Sequence, residues 1–182
     1  NECGTVSAIG GILKAPLDIL GDKLRGYYGL TNDLIEQPEK VLAACKALMP
    51  HLMHVALTSA DPEKIVPITI WMHRGCVPFV TPQTFETIYW PTLRPVIETL
   101  WAHGYQVLFY AEGNWDAHLD TFTELPEGSI IFHIDRSDYR KAHKALHHKF
   151  SLSGGIPNTV LSLGTQQEVR DWCKRVIDEI GA

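Results

Sequence analysis

"QVLFYAEGNWDAH", residues 106–118, begins as a buried strand and ends as something else. Val107, Leu108, Phe109 and Tyr110 form a continuous apolar run of strand type. Glu112 follows, then Gly113 and Asn114. An apolar strand here delivers a carboxylate to its tip, beside a glycine that lets the backbone turn. Whether Glu112 is a reagent or part of a structural network depends on what the neighbouring segments bring to the same place.

Working outward, the chain alternates. "IVPITIWM" (65–72) is rich in β-branched residues and reads as a strand. "TPQTFETIYWPTLRPVIETLWAHG" (81–104) reads as a helix capped by Thr81, with Pro82 in its first turn and Gly104 closing it. Pro91 and Pro95 are expected to kink or divide it, because each removes a backbone donor. The opening strand (106–111) leads into a helix from about Trp115 to Leu125. "SIIFHI" (129–134) is a third strand, "SDYRKAHKALHH" (137–148) a short helix and "FSLSG" (150–154) a fourth, weaker strand. "TQQEVRDWCKRVIDEIG" (165–181) is the clearest helix. Thr165 and Glu168 make a capping box, and Val169, Trp172, Cys173, Val176 and Ile180 make one apolar stripe. Strands alternating with helices through short connections imply βα units and a parallel sheet. The continuously apolar strands predict a sheet covered on both faces.

The N-terminal third (1–64) reads as a lead-in. "APLDILGDKLRGYYGLTND" (15–33) looks loop-rich, with Gly21, Gly26 and Gly29 as punctuation. "LIEQPEKVLAACKALMPHLMHVAL" (34–57) reads as a helix with Pro38 near its start, and Val41, Cys45, Leu48 and Leu52 recur on one face.

The bulk numbers describe one domain of ordinary globular composition: 182 residues, 45% hydrophobic, 20% charged, net charge −5. No basic run points to nucleic acid or an anionic membrane surface. No apolar run approaches the ~18 residues of a membrane span. Cys3, Cys45, Cys76 and Cys173 are far apart and form no CxxC pair. They read as reduced thiols of a cytoplasmic protein, with Cys45 and Cys173 packing in the core. No HExxH, phosphate loop or GxSxG elbow is present, and "SAIGGILKAP" (7–16) is not a Walker loop.

Polar groups gather at the strand ends. His73-Arg74-Gly75, Glu112-Gly113-Asn114, Asp135-Arg136 and Gly154-Gly155 with Asn158 each follow a strand. In a parallel α/β sheet these ends share one face, which is where such folds carry their sites. Glu112, His73 and Asp135 are therefore the candidate catalytic residues, and Arg74, Asn114 and Tyr110 the candidate substrate-binding ones. Structural readings stand beside these. Glu112 could pair with Arg74 or Arg136, and Asp135 could cap the next helix, although Ser137 and Asp138 lie nearer. The remaining histidines mostly read as surface or packing residues.

At these strand ends the sequence resembles the uroporphyrinogen decarboxylase superfamily. "APLDILGDKLRGYYGLTNDLIEQPEKVLAA", "GCVPFVTPQTFETIYWPTLRPVIETLWAHG" and "SGGIPNTVLSLGTQQEVRDWCKRVID" carry the resemblance, the last most specifically. It implies an α/β fold, a partial (β/α)8 TIM barrel with N-terminal units and the last strand missing, since a whole barrel needs about 250 residues. A part-barrel would leave two sheet edges open. The resemblance further implies an enzyme acting on a tetrapyrrole or other carboxylated substrate. Decarboxylation would need no cofactor, and the enzyme could be a homodimer. The decarboxylases' Ser-Trp-Ala-Gly strand end corresponds to Met72-His73-Arg74-Gly75, so that serine is absent. The superfamily's methyltransferases instead imply zinc, a corrinoid and a corrinoid protein as partner. Their His-x-Cys corresponds to Tyr110-Ala111-Glu112, leaving Glu112, and His73 beside it, as metal ligands under that alternative. A third reading is a tetrapyrrole-binding barrel without catalysis. In the enzymatic readings Glu112 acts as acid or base with His73 and Asp135, and Arg74 grips a substrate carboxylate.

Overall fold

The computed structural model describes residues 9–181; Cys3 and the first two residues of "SAIGGILKAP" lie outside them. Five strands form one sheet in sequence order, all parallel: β1 (Gly11–Lys14), β2 (Ile68–Met72), β3 (Val107–Ala111), β4 (Ile130–Ile134) and β5 (Ser151–Gly154). A parallel sheet in sequential order, with a helical crossover between successive strands, is compatible with part of an α/β barrel. Among the described residues, the outer edges of β1 and β5 carry no further strand.

The N-terminal third differs from its sequence reading. β1 is a fifth strand inside the supposed lead-in, and the segment read as loop is helical. Its helices are α1 (Pro16–Ile19), continued by a π-helical turn over Leu20–Leu24, and α2 (Tyr27–Glu36). Only Gly26, at φ 76°, interrupts the helix with a backbone that other residues resist. α3 (Pro38–Ser59) starts at Pro38, so the helix read from residue 34 takes its first residues from α2. Val41, Cys45, Leu52 and Ala56 are buried along one face of α3. By length and composition α3 is also apolar enough to cross a membrane, with a mean hydropathy of 1.4.

The helix after β2 is not divided by its prolines. It runs as α4 (Pro82–Thr84), a π-helical turn over Phe85–Tyr89, and α5 (Trp90–Ala102). Thr81 caps it as expected, accepting from the Thr84 amide at 3.1 Å. In the wide turn the Trp90 amide reaches the Phe85 carbonyl, which sets the ladder back by one residue just before Pro91. The helix after β3 is shorter than expected, a 3-10 turn (Asp116–His118) and α6 (Leu119–Phe122). α7 (Tyr139–Leu146) is capped by Asp138, whose carboxylate accepts from the Arg140 and Lys141 amides. α8 (Asn158–Leu163) and α9 (Gln166–Ile180) complete the chain, and the Thr165–Glu168 capping box is present. The α9 stripe lies over the core as half-buried residues, so Cys173 is not a core thiol, whereas Cys45 is fully enclosed.

The strands are not covered on both faces. Ile68, Ile70, Met72, Val107, Phe109, Ala111, Ile130, Phe132 and Ile134 are all within 2% of complete burial. Apart from the buried Thr69, their alternates are more open: Trp71 is 40% and Ile12 53% exposed, and Leu108, Tyr110, Ile131 and His133 are half-buried. Side chains two apart share a strand face, so one face is packed and the other is open. The packed side centres on Phe122, whose ring lies 4.8 Å from Phe109, 5.5 Å from Trp90 and 5.6 Å from Phe132. Truncating it leaves a void that ring-on-ring packing cannot close. Phe122→Ala is expected to cost about 3–5 kcal/mol, read as a lowered midpoint in denaturant unfolding.

Candidate functional site at the strand ends

Strand register brings the open-face residues into rows. Lys14, Trp71, Tyr110, His133 and Ser153 lie side by side across all five strands. One step of two residues further on come His73, Glu112 and Asp135, after β2, β3 and β4. The three candidate catalytic residues thus fall on one row above Tyr110. The ring centroids of Trp71 and Tyr110 are 6.0 Å apart, and the His133 ring stacks on Tyr110 at 4.5 Å. Burial raises the Tyr110 pKa, helped by the charges of Asp135 and Glu112.

The β2 end is closed upon itself. Asp18, on α1, is fully buried. It accepts from the backbone amides of His73 (3.1 Å) and Arg74 (2.7 Å) and from the Tyr89 hydroxyl (2.8 Å). Burial drives its pKa up, against the opposing pull of His73, Tyr89 and the two amides. Burial and the Asp18 charge together push the Tyr89 phenol well above its usual range. Asp22, in the first π-helical turn, takes Lys14 Nζ at 2.7 Å, His73 Nε2 at 2.6 Å and the Arg74 guanidinium at 3.1 and 3.2 Å. Partial burial works to raise its pKa, but Lys14, His73 and Arg74 overcome that and hold it at about 2. The other ring nitrogen of His73 lies 3.5 Å from Asp18, within ion-pair reach but without a hydrogen bond. Arg74 also sits between the rings of Tyr27 (5.1 Å) and Phe79 (4.8 Å).

This array changes the roles given to His73 and Arg74. His73 is held by two aspartates of the first unit and shares no hydrogen bond with Glu112 or Asp135. Arg74 gives its Nε and one terminal nitrogen to Asp22, so its guanidinium is partly engaged. The sequence reading missed Lys14, Asp18, Asp22 and Tyr89. The one available signal was the four-residue spacing of Asp18 and Asp22, which puts both on one helix face once that segment is read as helical.

The β3 and β4 ends form the wall of a cavity of about 940 Å³. Glu112 stands exposed at its edge, and among the described residues its carboxylate makes no hydrogen bond or ion pair. It bonds neither Arg74 nor Arg136. Its backbone, by contrast, is fixed: the Glu112 carbonyl accepts from Trp115 Nε1 at 2.9 Å. Gly113 has φ 99°, and a Cβ there would come within 2.7 Å of Cys76 Sγ. Only glycine makes this turn. Asp135 accepts the Gly113 amide at 2.8 Å and faces the Asn158 amide at 3.4 Å. It braces the turn that presents Glu112, and it is not the cap of α7. Asn114 accepts the Asp116 amide, closing a local turn on the cavity wall. Trp71 and Tyr110 line the floor, and Arg136 and Arg175 add positive charge to the far side. The buried thiols of Cys45 and Cys76 are pushed up to about 12 and about 11, which removes them as nucleophiles.

Among the described residues no three His, Cys, Asp or Glu side chains converge on a point where a metal could sit. No family model matches the chain, and no curated protein matches it.

Removing the Asp18 carboxylate orphans a buried hydroxyl and two buried amides. Asp18→Ala is expected to destabilise the fold by about 3–5 kcal/mol in denaturant unfolding. Asp22 makes the complementary pH prediction. Its folded pKa is depressed, so its contribution is complete above about pH 5, where the unfolded carboxylate is ionised, and is lost as pH falls through about 2. An acid-unfolding profile should steepen in that window, and Asp22→Asn should flatten it.

Proposed function

We propose that this chain is part of a uroporphyrinogen decarboxylase-like barrel enzyme, acting at the carboxyl ends of its strands on a tetrapyrrole or another carboxylated substrate. The observation that carries the reading is Glu112, whose carboxylate has no partner among the described residues, on a fixed backbone beside a cavity lined by Trp71 and Tyr110. The sequence resemblance supplies the substrate class, and the parallel sheet supports the placement of the site.

Decarboxylation breaks the bond between the substrate carbon and its carboxylate. The electron pair stays on carbon, CO2 leaves, and the carbon needs a proton. Glu112 is the group placed to relay that proton from solvent to the carbon. The aromatic floor takes the flat face of the ring system. Arg136, with its side chain 80% exposed, and Arg175, stacked on Trp172, can hold carboxylates that are not lost, the role earlier given to Arg74. His73 serves the same site indirectly, by keeping the β2 turn closed. A cytoplasmic location and a homodimer belong to this proposal.

The corrinoid-linked methyltransferase alternative requires zinc, and the described residues do not fit it. His73 is committed to Asp18 and Asp22, and Glu112 has no second ligand converging with it. The third reading, tetrapyrrole binding without turnover, is decided by the same experiment as the first. The purified protein, assayed with uroporphyrinogen and followed by CO2 release, should lose about 100-fold in kcat on Glu112→Gln while substrate binding, read by tryptophan quenching, persists. Binding without CO2 release by the wild type would leave a binding barrel. No quenching and no CO2 release would overturn the proposal.

A further inference from the structure

The geometry points to a second reactive group on the open face, a Ser153–His133 pair in which the serine is a nucleophile toward small activated esters. Ser153 Oγ lies 2.9 Å from His133 Nδ1, across the β4–β5 register. With the ring proton on Nε2, Nδ1 accepts from the serine hydroxyl, which is the contact a nucleophile makes with the base that activates it. Three further features bear on it. The imidazole is clamped, stacked on Tyr110 at 4.5 Å and 15° between planes, so its Nδ1 cannot swing away from the serine. Burial lowers the pKa of His133, with only Asp135 opposing, so the ring is a neutral base at pH 7. Finally, β5 approaches β4 closely only because Gly154 has no side chain. A Cβ there would meet the Ile134 carbonyl at 2.4 Å and His133 Cε1 at 3.1 Å. The glycine is thus what lets the serine sit beside the imidazole.

Access is available as well. Ser153 is half-exposed, on a strand whose outer edge carries no neighbour among the described residues. Gly154 and Gly155, both at positive φ, turn the chain away immediately after it. The pair stands one strand over from the cavity that holds Glu112, and it uses neither that carboxylate nor a carboxylated substrate.

The step balances without an added cofactor. Ser153 Oγ bonds to the acyl carbon as its proton passes to His133 Nδ1. The ester C–O bond breaks, and the leaving oxygen takes that proton from the imidazolium. Water, deprotonated by the same nitrogen, then releases the acid and restores the serine.

A fluorophosphonate probe tests this on the intact protein. Ser153 Oγ should form the P–O bond, with fluoride leaving and the proton going to His133, and the adduct should be found by mass spectrometry on the peptide that contains Ser153. The labelling rate should fall about 100-fold in His133→Gln, and it should fall in the wild type as the pH drops below the imidazole range. Absence of an adduct on Ser153 in the native wild type would overturn the assignment, whatever the variants do. So would labelling that is as fast in His133→Gln or in denatured protein as in the native chain. The probe contains no tetrapyrrole, so the result stands apart from the outcome of the decarboxylation assay.

Discussion

A buried carboxyl group needs donors, and Asp18 finds them on two separate elements. Its donors are two amides at the end of β2 and a hydroxyl from the helix after it, with the His73 ring near it at 3.5 Å but making no hydrogen bond. Each contact is available only if α1 packs against the β2 end with the observed register. The cost of desolvating the charge therefore becomes a condition on the geometry of the first two βα units. Around this anchor the other charges follow. Asp22 sits one helical turn on, collects Lys14, His73 and Arg74, and leaves that end of the sheet balanced and closed. At the β3 and β4 ends, by contrast, the Glu112 carboxylate has no partner among the described residues.

Much of the sheet was legible in the sequence because β-branched and aromatic runs are short, apolar and bounded by polar turns. β2, β3 and β4 announce themselves this way, and β5, Ser-Leu-Ser-Gly, only weakly. β1 does not. It is four residues between glycines and a proline, and it is a strand because it pairs with β2, not because of its own composition. The helices after it were hidden for a related reason. Gly21 and Gly29 look like turn residues, yet they lie within helical turns, and Gly21 takes Leu30 against its backbone. Glycine is a good marker of turns only when tertiary packing has no use for its missing side chain.

The site was legible in part. Placing polar groups at strand ends located Glu112, His73 and Asp135 on one row, because alternation along a strand and parallel register leave no other arrangement. The roles were not legible. Whether a side chain is free or spent depends on its partners, and those of His73 and Arg74 come from a segment more than fifty residues earlier. Continuous apolarity also misled. Trp71, Tyr110 and Leu108 are apolar but face the open side, where an aromatic ring is a surface for a flat ligand as readily as it is core.

The two π-helical turns each contain one extra residue relative to an α-helix, and each places a member of the polar network: Asp22 in Leu20–Leu24 and Tyr89 in Phe85–Tyr89. Removing a residue from either turn would rotate everything on one side of it by about 100° relative to the other. The extra residue in each turn therefore sets the direction in which Asp22 and Tyr89 point, and the polar network depends on both at once.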